Sequence, residues 1–218
     1  MQVKDITDAL TKARTEGKKR NFNQAIDFSI VLKEFDLKNP ENKIDEFVML
    51  PNPPNKDVKI CALVDKEHVT QARELFDKVI PKDDFFKYDN NKVEIKRLAR
   101  TYDHFIAQAT IMTNIAAVFG KILGPKGKMP NPKSGCIIPP KLDLKILKEK
   151  LQRQVRLQTL KQPVISTKVG DEGMSDEHLA QNIMTIFKVI ESRLPRGTQQ
   201  IKRIYVKLTM GKPVAIGA

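Results

Sequence analysis

A five-residue run, Pro51-Asn-Pro-Pro-Asn55, divides the chain, because it suits neither a helix interior nor a central strand. Beyond it, compact apolar segments alternate with stretches of helical spacing. Val58 to Val64 predicts a strand, and Lys66 to Val79 a helix with Val69, Ala72, Leu75, Phe76 and Val79 on one face. Val93 to Arg100 fits a short helix or a strand equally well. His104 to Ile111 predicts a strand and Met112 to Phe119 a small-residue helix, and Leu142, Leu144, Ile146, Leu147 and Leu151 support another helix. Strands alternating with helices over about one hundred residues predict an α/β layer on a parallel sheet.

The two ends of the chain carry a different pattern. Val3, Ile6, Leu10 and Ala13 predict a helix closed by Gly17, and Ala25, Phe28, Ile30 and Leu32 a strand with imperfect alternation. After a turn at Asn39-Pro40, Ile44 to Leu50 reads as a second strand. A further boundary lies near Gln154. Val155 to Leu160 and Val164 to Val169 flank a Lys-Gln-Pro turn and predict a hairpin. Ser175 caps a helix with Leu179, Ile183, Ile186 and Ile190 on one face and Glu177 in its acidic first turn. In the strand from Ile201 to Leu208 neither row is cleanly apolar. Ile201, Arg203, Tyr205 and Lys207 form one row, and Lys202, Ile204, Val206 and Leu208 the other. The N-terminal third has too thin a core to fold alone. The economical arrangement is therefore α/β with two domains. Residues 1–54 and 155–218 form a discontinuous α+β domain, and residues 55–154 are inserted between them.

Charge narrows the partner. A net charge of +13 and a pI near 9.7 favour an anionic partner, nucleic acid first and an acidic membrane second. No basic amphipathic helix with an aromatic face stands out, no apolar run approaches about 18 residues, and the N-terminus has no signal-peptide core. These features predict no membrane partner and a cytoplasmic location. Cys61 and Cys136 stand far apart, as reduced thiols do. Residues 1–54 are neutral, residues 55–154 carry +8 and residues 155–218 carry +5.

Catalytic motifs are largely missing. Gly120 to Pro140 holds Lys121, Lys126, Lys128 and Lys133 with no acidic residue, and its Gly and Pro content predicts a rigid cationic surface loop. It is not a Walker loop. Six residues separate Gly120 from Gly127-Lys128 where that pattern needs four, and Met129 stands where the magnesium-binding Ser or Thr belongs. Gly124-Pro-Lys-Gly127 matches the G-x-x-G of a KH domain, but Met129-Pro-Asn-Pro cannot begin the helix that must follow. No G-x-G-x-x-G follows the strand at Val58. His68, His104 and His178 are isolated, so neither a metal site nor a cofactor site is predicted. The alternative reading is a nucleotide-dependent enzyme on the inserted domain.

Gly120-Lys-Ile-Leu-Gly-Pro-Lys-Gly-Lys-Met-Pro-Asn-Pro-Lys133 resembles the signature of the ribosomal protein L-one family, proteins of the mobile side stalk of the large subunit. Arg20-Asn21-Phe22, Lys168-Val-Gly170, Leu179-Ala-Gln-Asn-Ile183 and Thr209-Met-Gly211 fall in the family's order, so the resemblance covers the whole chain. Length and N-terminus look closer to archaeal than bacterial members. The resemblance implies a three-layer, Rossmann-like inserted domain and an RNA-binding terminal domain. The implied function is binding to large-subunit rRNA, assistance to release of exit-site tRNA, and repression of the protein's own mRNA. It implies a monomer when free of the ribosome, and neither catalysis nor a cofactor.

By the same resemblance Phe22, Thr209, Met210 and Gly211 lie at the centre of the RNA face, with Asn21, Asp27, Lys168, Gly170 and Arg203 as neighbours. The physics agrees. Gly170 and Gly211 let backbone approach ribose and phosphate, Thr209 bonds a 2′-hydroxyl, and Lys168 and Arg203 meet phosphates. By residue type alone Phe22 and Met210 read as core; the resemblance places them on the face. Asp27 accepts from a ribose hydroxyl or guanine edge, or orients a lysine. Lys121, Lys126, Lys128 and Lys133 serve a secondary RNA contact, packing at the domain junction, or a tRNA contact.

Overall fold

Apolar periodicity and the turn residues between the elements set the architecture of the computed structural model, which describes residues 2–18, 20–36, 43–54, 58–89, 91–138, 144–160 and 162–217. The chain opens with α1 (Val3–Thr15), β1 (Ala25–Leu32) and β2 (Asp45–Met49). There follow β3 (Ile60–Val64), α2 (Val69–Leu75), β4 (Lys78–Pro81), α3 (Phe86–Asp89), α4 (Lys92–Thr101), β5 (His104–Gln108), α5 (Met112–Leu123), β6 (Ile137–Ile138) and α6 (Leu144–Arg153). It closes with β7 (Gln154–Gln158), β8 (Val164–Asp171), α7 (Asp176–Arg193), β9 (Ile201–Leu208) and β10 (Val214–Ala215). The fold is α/β, and the chain divides into two units, Met1–Lys56 with Arg153–Ala218, and Asp57–Gln152.

The first unit is an antiparallel sheet in the order β10-β9-β1-β8 with α1 and α7 packed on it. Strand β1 alternates strictly: Ile26, Phe28, Ile30 and Leu32 are buried, while Ala25, Asp27, Ser29 and Val31 are half-buried on the opposite face. From Arg203 onward the two rows read in β9 are its two faces, whereas the register slip puts Ile201 opposite buried Leu32, on the core side. Val206 and Leu208 are buried beside Ile26 and Phe28, and Lys202 is exposed where the register slips at Val31/Leu32. Helix α7 starts on the Ser175 hydroxyl, which accepts from the His178 N–H at 3.4 Å, and buries Leu179, Ile183, Ile186 and Ile190.

The hairpin predicted over 155–169 does not form as such. β7 pairs with β2 and β8 with β1, and among the described residues a single isolated bridge, Thr159–Ile165, joins the two segments. The β2–β7 pair also carries a forked ion pair from Arg156 to Asp45, at 2.7 and 2.9 Å.

In the second unit a parallel sheet, β4-β3-β5-β6, has helices on both faces. Cys61, Leu63, Phe105 and Ala107 pack toward α3, α4 and α5, and Ile60, Ala62, Val64 and Ile106 toward α2 and α6. The ambiguous segment 93–100 is helix α4, begun by Asn91, whose side chain accepts from the Glu94 N–H at 3.2 Å.

Several predicted boundaries move. The helix expected over 66–79 is a short 3-10 turn and α2, and Val79 belongs to β4. Val79 and Ile80 fit helical spacing, but they are β-branched and precede Pro81, which pushes the backbone to extended. The strand expected over 104–111 stops at Gln108, and Ala109–Ile111 turns into α5. Helix α5 runs on through Gly120 to Leu123, so the first residues of the Gly- and Pro-rich segment are helical rather than loop. Leu142 and the Asn39-Pro40 turn lie outside the described residues.

Candidate nucleic-acid interface

Where β1 begins, β9 ends and β8 ends, the antiparallel sheet forms a corner. Thr209 carries β9 onward: its N–H donates to the Ala25 carbonyl at 3.0 Å. Its hydroxyl accepts from the Ala25 N–H and donates to the Ala25 carbonyl, each at 3.1 Å. That hydroxyl's proton is therefore engaged, and what it offers a ribose 2′-hydroxyl is a lone pair. The chain then turns, with the Gly211 N–H returning to the Leu208 carbonyl at 2.9 Å. A Cβ on Gly211 would stand 3.1 Å from Leu208 Cβ, so a bare backbone keeps this turn tight. Met210 projects from it, 61% exposed, and Phe22 projects from the neighbouring segment, 53% exposed. Asn21 beside Phe22 is exposed too. The core reading of Phe22 and Met210, the default for their residue types, does not hold.

The outer row of the sheet continues from this corner. Asp27 lies opposite Lys168 on one side and Lys207 on the other. Lys207 Nζ is 4.0 Å from the Asp27 carboxylate, and Lys168 Nζ is 2.6 Å from the buried Asp171. Burial raises the Asp27 pKa, and the two lysines pull against that rise. Ser29 and Ser166 share a hydroxyl hydrogen bond of 2.9 Å, and Arg203 lies opposite Val31. Arg203 is exposed, but six residues before Thr209, so it shares the face rather than the corner.

Gly170 has a different reason to be glycine from the one its residue type suggested. It is buried, and a Cβ there would lie 2.5 Å from Leu179 Cδ2 and 2.7 Å from Met174 Sδ. Its missing side chain makes room for α7 against β8.

Two residues were not legible as part of this site. Lys207 was visible only as one member of an alternating row; its place opposite Asp27 depends on register. Gln24 gave no signal at all, yet it is 1% exposed and hydrogen-bonds into the corner.

The four lysines of the signature segment all belong to the second unit. Lys121, at the end of α5, and Lys126 and Lys133 are exposed. Lys128 is half-buried, and its amine donates to the Tyr102 carbonyl at 2.6 Å, tying the loop to the end of α4. Gly127 and Gly135 have φ of 65° and 68°, where side chains are strained, and the Asn131 side chain accepts from the Lys133 N–H at 3.0 Å. The loop is thus tied down with Lys126 and Lys133 exposed, and Lys121 is exposed on the helix that leads into it.

At the carboxyl end of β3, where nucleotides bind in open α/β sheets, Asp65 accepts from its neighbour's N–H at 2.8 Å and Gln108 accepts from the Asp65 N–H at 3.0 Å. A carboxylate there opposes a phosphate. Among the described residues no His, Cys, Asp or Glu group of three or more suits a metal, and no helix is long and apolar enough to cross a membrane. Cys61 and Cys136 are free and buried, and burial pushes the Cys61 thiol up to about 12.

Comparison with known proteins gives a consistent result. The model of the ribosomal protein L1p/L10e family matches residues 11–212. The chain is 39% identical over 213 residues to the large ribosomal subunit protein uL1 of Methanothermobacter thermautotrophicus, covering 97% of this chain and 98% of that one. The uL1 protein of Pyrococcus abyssi is 40% identical over 212 residues, 97% of this chain and 94% of its own. That of Methanothermococcus thermolithotrophicus is 39% identical over 216 residues, 99% of each.

Proposed function

The chain belongs to the ribosomal protein L1p/L10e family of structural, non-enzymatic ribosomal proteins, and on that premise we propose that it sits in the large ribosomal subunit and binds structured RNA through the corner at Phe22 and Met210. The RNA is the large-subunit rRNA of the mobile side stalk. The same face takes a similar fold in the protein's own mRNA and so represses its translation. The exposed cations Lys121, Lys126 and Lys133 meet a secondary RNA contact or exit-site tRNA, which supports tRNA release. Free of the ribosome the protein is a monomer in the cytoplasm, with neither cofactor nor catalytic site.

The observation that carries this reading is the Thr209–Gly211 turn. Met210 on the turn and Phe22 on the neighbouring segment are exposed beside main-chain N–H groups at 209, 210 and 211 that are all hydrogen-bonded, and Asp27, Lys168 and Lys207 lie along the adjoining face. Exposed apolar groups on a rigid support suit unstacked bases and sugar faces, while the lysines suit phosphates. The test is affinity for a stalk rRNA fragment across a salt series. Met210→Asp is expected to lower affinity at least about a hundredfold, with tight wild-type binding persisting at moderate salt. Equal affinity for unrelated RNA and indifference to Met210→Asp would leave only generic charge attraction, and the assignment would be wrong.

A further inference from the structure

Gln24 is a buried polar residue among exposed neighbours. Asn21, Phe22 and Asn23 are all exposed, and Gln24 is 1% exposed. Its side-chain oxygen accepts from the Met210 N–H, and its side-chain nitrogen donates to the Lys18 carbonyl, each at 3.3 Å. Its main-chain carbonyl accepts from the Glu172 N–H at 2.8 Å. One residue therefore joins three segments: the ends of the loop that carries Phe22, the turn that carries Met210, and the bend after β8. That bend is fixed from behind by Arg14, which donates to the carbonyls of Glu172 and Met174 and pairs with Asp176 at 3.0 Å.

Phe22 and Met210 are too exposed for packing to fix where they stand. Their relative position depends instead on the backbone that carries them, and the side-chain amide of Gln24 links the two pieces of backbone. Only a side chain with a donor and an acceptor at that length satisfies both: methionine has no donor and only a weak acceptor, and asparagine is one methylene short. A site held in its bound shape before the ligand arrives does not lose binding free energy to ordering itself.

We infer that Gln24 is the positioning residue of the RNA face, holding the Phe22 loop and the Met210 turn in one binding-ready arrangement. The inference rests on the RNA-binding reading above. Gln24 itself does not touch the RNA.

A double-mutant cycle in the full-length protein, with a stalk rRNA fragment as the probe, tests it. Gln24→Met is expected to weaken binding about tenfold, mainly through faster dissociation, while the slope of affinity against salt stays as in the wild type because no phosphate contact is lost. In a Met210→Ala background the same substitution is expected to cost well under that factor, since the residue through which it acts is already gone. In the free protein, the Met210 amide is expected to exchange faster in Gln24→Met. Should Gln24→Met not fold, Gln24→Asn, which keeps the amide on a shorter arm, takes its place in the cycle. Additive losses, or wild-type affinity for the folded Gln24 variant, overturn the inference while leaving the RNA face standing. Indifference of binding to Met210→Ala alone overturns the RNA face, and this inference with it.

Discussion

Asp27 sets the charge balance at the centre of the sheet face. Partial burial raises its pKa, while Lys207 and Lys168 oppose the rise. With a native pKa above the unfolded one, the folded state holds the proton more tightly, so the stability this group contributes is full at pH below about 3.9 and is lost as pH rises through the native value. Asp27→Asn is therefore expected to be more stable than the wild type at pH 7, by less than about 1 kcal/mol because water screens a partly exposed group. Urea unfolding at pH 4 and pH 7 checks this, and a less stable Asp27→Asn protein at pH 7 would mean that the lysines outweigh desolvation. Residue type alone told little at this scale. Asp27 was recognisable as an oddity on a cationic face, but the burial that shifts it comes from strands far away in the chain. The packing at Gly170 likewise comes from residues outside its strand, Leu179 and Met174.

Elements were legible where their pattern is long. α1, β1 and α7 carry enough apolar positions at one spacing to be read directly, and β3, buried on both faces, shows as an unbroken apolar run. The short strands β4, β6 and β10 were not legible, because strands of two to four residues carry too few alternations to stand out. The apolar face of α7 docks it on the core, and one buried polar side chain adds a clamp. Asn182 accepts from the Asn52 N–H at 3.1 Å and donates to the Asn52 and Val169 carbonyls, each at 2.8 Å. It thus ties the Pro-rich segment after β2, and β8, to the middle of α7. Asn182→Leu strands these backbone groups away from water and is expected to cost at least about 2 kcal/mol, seen as a lower urea midpoint. An unchanged midpoint would show that the clamp adds nothing net.

At the scale of the whole molecule, the charge of +13 sits on specific surfaces. Lys207 lies on the outer face of the antiparallel sheet, and Lys121 is exposed at the end of α5 in the other unit. With an rRNA fragment short enough to fill only the face at Met210, Lys207→Met is expected to lower the salt slope by about 0.7, the value for one lost phosphate contact, and Lys121→Met to leave it unchanged. The reverse result would move binding to the signature loop. The sequence by itself determined the net charge, the type of the long elements, the cationic Gly- and Pro-rich segment and the family, because each of these depends on neighbours along the chain. Tertiary structure alone decided that β7 pairs with β2, that Lys128 ties down the loop instead of facing outward, that Gly170 serves packing, and that Gln24 joins the loop of Phe22 to the turn of Met210. Each of these rests on a hydrogen bond or a contact between residues distant in sequence, and such pairings leave no mark on local composition or period.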